Sequence, residues 1–221
     1  MLNKNLGIII DSKYNHEGTH YIFADEKNLV ATNGHALFCE PRTEDIEPGY
    51  YNPTTLQKVN YEGIPFPGNY ENLFKLENLE SIENPVFITY NKKEGIKNLG
   101  TKKIANIKDT KIYINLDYLK KACQFLGDDF TLYLNKENTY QPILLKNDKE
   151  QRVLIMSIRE PDLNDFTFTG EIQVKDIKQV VKFKNCYVLK KGENIIGVFT
   201  KQTDAIKNAD AETEIIETIL K

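Results

Sequence analysis

The sequence predicts an α+β fold of antiparallel sheets with few helices, followed by a small C-terminal ββαβ unit. Three observations support this prediction. Short apolar runs recur between turn-forming residues, one amphipathic stretch occupies 115–127, and the pattern changes after a segment rich in Pro, Asp and Asn at 160–171. We therefore predict a main domain over 1–159, a linker over 160–174 and the ββαβ unit over 175–221.

The first predicted elements are strands joined by tight turns. Residues 21–32 form a predicted hairpin that turns at Asp25–Asn28, because short apolar runs flank these polar residues. Asn33-Gly34 is a dipeptide typical of tight turns, since glycine tolerates a positive φ. An extended apolar stretch at 35–39 follows this turn.

The next segment, 41–72, is rich in Pro, Gly, Tyr and Asn. It predicts an irregular crossing segment with a short turn of helix at 53–58. The apolar run at 85–90 predicts a strand, and the polar, lysine-rich residues 92–111 predict a loop or an edge hairpin.

The clearest helix extends from Asn115 to Gly127. Asn115 is a suitable N-cap, apolar residues recur on one face, and Gly127 is a typical terminator. Three antiparallel strands are predicted after it, at 130–134, 142–145 and 152–158. The C-terminal unit is predicted to contain a short helix leading into a strand over 175–184, a hairpin of 186–189 and 195–199, a helix over 203–211 and a strand over 215–220.

The composition is that of an ordinary globular protein, with 40% hydrophobic residues, 28% charged residues and a net charge of −3. This balance excludes a whole-chain basic attraction to nucleic acid but allows a local basic face. The sequence has no run of about 18 apolar residues and no apolar signal-peptide core at its start, so we expect a cytoplasmic protein without a membrane partner. Only Arg42, Arg152 and Arg159 are arginine.

The sequence has no complete catalytic or metal-binding pattern: His16 and His20 have the spacing of a helical metal pair but no third ligand, and the acidic pairs Glu40/Glu44 and Asp128/Asp129 are more typical of turns. The three cysteines, Cys39, Cys123 and Cys186, are far apart and have no metal-ligand spacing. The sequence has no phosphate-cradling glycine loop and no serine or cysteine nucleophile with an evident base. We therefore predict no enzymatic activity, no cofactor and no metal site.

Three segments, in order along the chain, resemble the bacterial sliding clamp, the beta subunit of DNA polymerase III. Residues 29–37, LVATNGHAL, resemble the strand-turn-strand LVATDGHRLA of that family, with Asn33 in place of Asp. Residues 64–70, IPFPGNY, resemble its F-P-D-Y connector. Residues 114–159 resemble its last helix and three strands, the final V-L-M-P-M-R being VLIMSIR at 153–159.

The resemblance implies a sliding-clamp-like (DNA clamp) domain with a non-enzymatic role in DNA replication, as a processivity factor. It covers about 29–159, except for residues 75–112, which do not align, and the tail 160–221 lies outside it. A bacterial clamp subunit has three such domains and closes a ring as a dimer, whereas this chain has length for about one. A ring would therefore need a homo-oligomer of several copies, and so reduced a version suits a phage or mobile-element origin.

The resemblance also implies a pocket for linear peptides of polymerases and other replication proteins. The matching positions are Thr32, Gly34, His35, Leu37, Met156, Ile158 and Arg159. Leucine and methionine form adaptable apolar grooves, and backbone edges hydrogen-bond an extended peptide. Ala36 and Ser157 replace the family's Arg and Pro. The strands that carry positions 32–37 and 156–159 meet either within one chain or between chains.

Each group of residues also has an alternative without a ligand. Residues 32–37 would be a packed hairpin turn, Met156 and Ile158 would be core residues, and Arg159 would form a surface pair with Glu160.

Double-stranded DNA is the second expected partner. Lys120 and Lys121 lie on the polar side of the predicted helix, where a clamp-like body would face them toward phosphates in sequence-independent, salt-sensitive contacts. A second basic stretch between 175 and 191 includes Lys178, Lys182 and Lys184. For both sets the alternative is a solvated lysine surface.

Two other functions compete with that of a replication accessory. One is a clamp-derived protein-interaction module, such as a phage factor, that binds a peptide without binding DNA. The other is a structural domain that has kept only the fold. Tethering on DNA requires an oligomer or a loader, peptide binding requires only the groove, and a scaffold requires neither.

Overall fold

The structure is a computed structural model. It describes residues 5–10, 17–63, 65–66, 68–96, 101–127 and 129–174, together with the strands at 185–191, 194–199 and 214–219. The chain divides into two compact units, 1–175 and 176–221.

The first unit is built of antiparallel strands. Its described strands are β1 (Ile22–Ala24), β2 (Asn28–Thr32), β3 (Ala36–Pro41), β4 (Gly49–Tyr51), β5 (Lys58–Val59), β6 (Glu80–Ile82), β7 (Val86–Lys92), β8 (Lys103–Ile107), β9 (Tyr113–Asn115), β10 (Thr131–Leu134), β11 (Ile143–Lys146), β12 (Arg152–Ile155) and β13 (Phe166–Gln173). Its described helices are one α-helix, α1 (Leu116–Leu126), and 3-10 helices at Leu6–Ile9, Glu17–His20, Tyr70–Phe74 and Leu163–Asp165. The predicted antiparallel sheets with few helices are thus confirmed.

Nine of these strands form one sheet in the order β5-β4-β1-β2-β3-β12-β11-β10-β6. Its central contact pairs β3 with β12, which puts Leu37 opposite Leu154 and Ala36 opposite Ile155. The pairing joins the early hairpin to the three strands that follow α1. The first and the third of the three segments that resemble the clamp therefore meet within one chain.

Alternation along the strands gives this sheet two apolar faces. On one face α1 packs through Leu119, Ala122 and Cys123, which are fully buried, and the rings of Phe38 and Phe125 lie 5.2 Å apart.

In the part of the chain that the structure describes, no helix is long and apolar enough to cross a bilayer.

The opposite face is covered by the chain segment between β5 and β6. Its Phe66 and Tyr70 are buried against residues that alternate with those facing α1, namely Val30, Leu37, Cys39 and Leu154. This is the face on which the candidate site lies.

Two short predictions differ from the structure. Residues 53–58 form a turn leading into β5 instead of a turn of helix, because the Asn52 side chain accepts hydrogen bonds from the backbone N–H of Thr54 (2.8 Å) and Thr55 (2.9 Å). Within 92–111 the strand β8 is central instead of being a loop or an edge hairpin. Ile104, Ala105 and Ile107 are buried in the sheet. Lysines precede and follow this short apolar run, so the segment as a whole has the composition of an exposed loop.

The predicted linker 160–174 also contains a strand. β13 pairs with β7 in a second sheet of the order β13-β7-β8-β9. The turn-forming residues end at Asp165, and the Phe and Thr residues at 166–169 favour an extended backbone.

In the second unit three strands form an antiparallel sheet, β14 (Asn185–Lys191), β15 (Asn194–Phe199) and β16 (Glu214–Ile219), in the order β15-β14-β16. The strands predicted at 186–189, 195–199 and 215–220 overlap these ranges, and the ββαβ unit as a whole stays a prediction. The helices predicted within 175–184 and at 203–211 lie outside the described residues.

The α1 N-cap gives a stability prediction. The Asn115 carboxamide oxygen accepts a hydrogen bond of 2.8 Å from the backbone N–H of Asp117. Asn115→Ala leaves this N–H without its cap and is expected to lower the free energy of unfolding by about 1 kcal/mol. Urea denaturation measures the change, with Asn60→Ala, at an exposed loop position, as the matched control. Equal midpoints for the two variants would contradict the prediction.

Candidate functional site

An apolar groove of about 360 Å³ lies on the sheet face opposite α1. It is bounded by the β2–β3 turn, the strands β3 and β12, and the 3-10 helix Tyr70–Phe74, hereafter the wall helix. The lining residues are Thr19, Thr32, Gly34, His35, Ala36, Leu37, Phe66, Tyr70, Leu73, Pro142, Leu154 and Met156. None of these lining residues is a lysine, arginine, aspartate or glutamate, so the groove suits neutral, apolar groups.

The turn at one end of the groove is held by the Asn33 side chain. Its carboxamide oxygen accepts the backbone N–H of His35 (3.0 Å) and of Ala36 (2.9 Å). The Thr32 hydroxyl donates to the Ala36 carbonyl (2.7 Å) and accepts the Gly34 N–H (3.0 Å). Gly34 has a φ of +82°, which a residue with a Cβ rarely adopts. A buried Asn33 therefore satisfies the backbone donors that the turn creates.

Strand β12 forms the floor of the groove and part of its rim. Leu154 is buried opposite Leu37. One residue beyond the strand, the Met156 N–H donates to the His35 carbonyl (2.9 Å), which ties the rim to the turn. The His35 ring also stacks on Tyr118 of α1, with centroids 6.2 Å apart and planes 17° apart. The turn thus contacts both β12 and α1.

The wall helix is attached to the sheet by polar contacts. The Tyr70 hydroxyl donates to the Asp25 carboxylate and accepts from the Asn28 side chain (3.1 Å). Asn28 also donates to Glu71 (2.6 Å), and Glu71 is paired with Arg152 (3.2 Å). Burial and the bond to the Asp25 carboxylate raise the pKa of Tyr70, which keeps its hydroxyl a donor.

The structure brings five of the predicted pocket residues together. Thr32, Gly34, His35, Leu37 and Met156 all line the groove.

Ile158 and Arg159 do not line it. After Met156 the chain leaves the first sheet, and the Ile158 N–H donates to the Tyr113 carbonyl (2.7 Å). The Ile158 side chain packs with Ile104, Tyr113 and Phe166 of the second sheet, and Arg159 is exposed. The predicted strand 152–158 is too long, since β12 ends at Ile155.

The wall of the groove was not predicted from the sequence. Phe66 and Tyr70 lie in the IPFPGNY segment, so the connector resemblance was a usable signal for them. Pro142 and Leu154 lie in the strand motifs, and the alternation of β12 could have indicated Leu154. Thr19 and Leu73 carried no signal in the sequence, because only the fold brings them to the groove.

The predicted DNA contacts are described only in part. Lys120 and Lys121 are half-buried on α1. Burial lowers the pKa of Lys120, and the positive charge of Lys103 on β8 lowers it further, whereas Asp117 acts in the opposite direction. Lys178, Lys182 and Lys184 lie outside the described residues. The described residues contain no group of three or more His, Cys, Asp or Glu that could hold a metal ion.

Comparisons with known proteins give likeness in structure only. No protein-family profile matches the sequence, and no curated protein matches it. Among solved structures, a protein designated a DNA polymerase III beta subunit from Eubacterium rectale is 13% identical with a TM-score of 0.49, over 71% of this chain and 62% of that one. A sliding clamp (DNA polymerase III subunit beta) from Bartonella birtlesii, bound to griselimycin, is 14% identical with a TM-score of 0.45, over 71% of this chain and 64% of that one.

The match therefore spans less than two thirds of the length of either clamp chain. A likeness of this degree assigns no function to this chain.

Acid is expected to weaken the attachment of the wall helix through Asp25. Burial alone would raise the pKa of Asp25, but hydrogen bonds from the Tyr70 hydroxyl and from the backbone N–H of Lys27 and Asn28 outweigh it and hold the pKa below the ordinary 3.8. Such a carboxylate stabilises the folded state above its unfolded-state pKa. The contribution is lost as the pH falls through the lowered folded-state pKa.

We predict that Asp25→Asn removes this part of the acid sensitivity. The wild type is expected to have the higher Tm near neutral pH, and the difference shrinks as the pH falls from about 5 to about 3. Thermal melting across this range measures it, with Asp148→Asn at an exposed turn as the control. A difference that is independent of pH would overturn the assignment to Asp25.

Proposed function

We propose that this chain is a non-enzymatic DNA-replication accessory of sliding-clamp type, which captures a linear peptide of a replication protein in the groove. The observation that supports this most directly is the pairing of β3 with β12. Each strand includes part of one of the two segments, 29–37 and 153–159, that resemble the clamp's peptide-pocket motifs, and with the wall helix the strands enclose an apolar groove of about 360 Å³.

The chemistry of the groove favours apolar peptide side chains. Leu73 and Met156, on its two sides, have exposed fractions of 56% and 45%. A peptide leucine or phenylalanine can be buried against these two side chains. Each side chain that becomes fully buried contributes about 1.5–3 kcal/mol to the binding free energy. The flexible thioether of Met156 adapts to more than one apolar shape.

The proposed DNA contact is sequence-independent and involves Lys120 and Lys121 on α1, with Lys178, Lys182 and Lys184 as further candidates. The lowering of the Lys120 pKa by the charge of Lys103 is consistent with it, since a bound phosphate would offset this repulsion. Encircling DNA would further require several copies of the chain in a homo-oligomer.

The second candidate is a protein-interaction module that binds the peptide but not DNA. The groove is complete within one chain, so peptide capture needs no ring. The net charge of −3 also gives no general attraction to DNA.

Peptide capture is tested with the double variant His35→Ala/Met156→Ala. Both side chains line the groove and both are exposed, so we expect the melting temperature to change little. Affinity for a clamp-binding peptide of a bacterial replicative polymerase is expected to fall about tenfold or more, measured by fluorescence anisotropy. Leu163→Ala, an exposed leucine outside the groove lining, is the control. Unaltered binding in the double variant would remove the pocket assignment.

DNA tethering is tested by light scattering with and without a circular DNA duplex, at low and moderate salt. A tethering clamp forms a multimer that stays on circular DNA and is lost after linearisation. Lys120→Gln/Lys121→Gln is expected to reduce retention, whereas Lys146→Gln/Lys149→Gln, at exposed positions of β11 and the following turn, is the charge-matched control. A monomer that is not retained at either salt concentration would favour the interaction module.

A further inference from the structure

The wall helix cannot keep its position by itself. It has five residues, Tyr70–Phe74, and its N-cap residue Asn69 makes no side-chain hydrogen bond to it. At its two ends the Asn72 N–H donates to the Asn69 carbonyl (3.0 Å) and the Lys75 N–H donates to the Asn72 carbonyl (3.2 Å). So short a helix is stable only through tertiary contacts.

Arg152 contacts this helix at two points. Its two terminal guanidinium nitrogens donate to the two carboxylate oxygens of Glu71 at 3.2 and 3.4 Å. The guanidinium carbon also lies 4.3 Å from the centroid of the Phe74 ring. Leu73, which projects toward the groove, lies between these two contacted residues. Fixing residues 71 and 74 therefore fixes the backbone that presents Leu73.

Strand alternation couples this contact to the groove. Arg152, Leu154 and Met156 are two residues apart along the chain, so they point to the same side of the sheet. Arg152 contacts the wall helix, while Leu154 and Met156 line the groove. Strand β12 and the residue after it thus provide the floor, the rim and the contact that holds the opposite wall.

Charge makes the Glu71 contact specific. Burial raises the pKa of the Cys39 thiol to about 12, so the sulfur that lies 3.2 Å from Arg152 stays neutral. Glu71 therefore supplies the negative charge that pairs with the guanidinium. The Arg152 side chain has an exposed fraction of 24%, and Glu71 one of 45%, so the pair is partly shielded from solvent.

We infer that Arg152 is a positioning residue that sets the width of the groove by holding the wall helix through Glu71 and Phe74. The inference rests on the proposed function in so far as the groove is the ligand site. Only an arginine combines a planar fork for a carboxylate with stacking on an aromatic ring, so lysine is a poor substitute.

The test is amide hydrogen exchange of the full chain, followed by mass spectrometry, in Arg152→Met. This variant keeps a long apolar side chain but removes the fork. We expect exchange over 70–76 to become about fivefold faster or more, as loss of a charge-assisted bond predicts, while α1 and β10–β12 exchange as in the wild type. Arg152→Lys is expected to be intermediate. Lys146→Met is the control, since Lys146 lies directly opposite Arg152 on β11 and is exposed.

Unchanged exchange over 70–76 in Arg152→Met, or faster exchange spread equally over α1 and the sheet, would overturn the inference. If Arg152→Met does not fold, Glu71→Gln serves as the second variant, and its wall helix is expected to exchange faster in the same segment. Peptide affinity is measured on the same proteins and should fall in Arg152→Met in parallel with the exchange. If the wild type binds no peptide, the proposed function fails, and the exchange data still decide the role of Arg152.

Discussion

The antiparallel contact between β3 and β12 is the constraint on which the rest of the first unit depends. It joins strands that are more than a hundred residues apart in the sequence and makes one sheet of two groups of strands. Its register determines which side chains face α1 and which face the groove. A slip of one residue would turn Leu154 toward the helix and Val153 toward the groove, and the polar anchor Arg152 would leave the wall helix. Fold and candidate site therefore depend on the same pairing.

The two faces of this sheet are covered in different ways. On the α1 face the contacts are apolar and buried, with an amphipathic helix whose ends are defined by Asn115 and Gly127. On the groove face the cover is a segment with little regular structure, attached by Tyr70, Glu71 and their polar partners. A short segment of this kind leaves a gap beside it, and the groove is that gap. Incomplete cover is what makes this face available for a ligand.

Local patterns predicted the local elements well. The capping residue and apolar face of α1, the hairpin at 21–32 and the Asn33-Gly34 turn depend on neighbours in sequence, and the structure has them where expected. Strand β8 was missed because lysines surround its apolar residues, and the wall helix because no periodicity marks so short a turn. Arg152 was noticed only as a rare arginine. Its role depends on Glu71 and Phe74, which the fold brings to it from 81 and 78 positions away in sequence.

The β2–β3 turn also has a consequence for chemical ageing. Asn-Gly pairs deamidate readily when the glycine nitrogen attacks the asparagine side-chain carbon and closes a succinimide ring. In this turn the Gly34 N–H is donated to the Thr32 hydroxyl (3.0 Å), while the Asn33 carboxamide is held by the N–H groups of His35 and Ala36. These bonds keep the nitrogen and the side chain from the geometry of attack. Deamidation at Asn33 is therefore expected to require that this turn opens, so that its rate would depend on how often the turn opens.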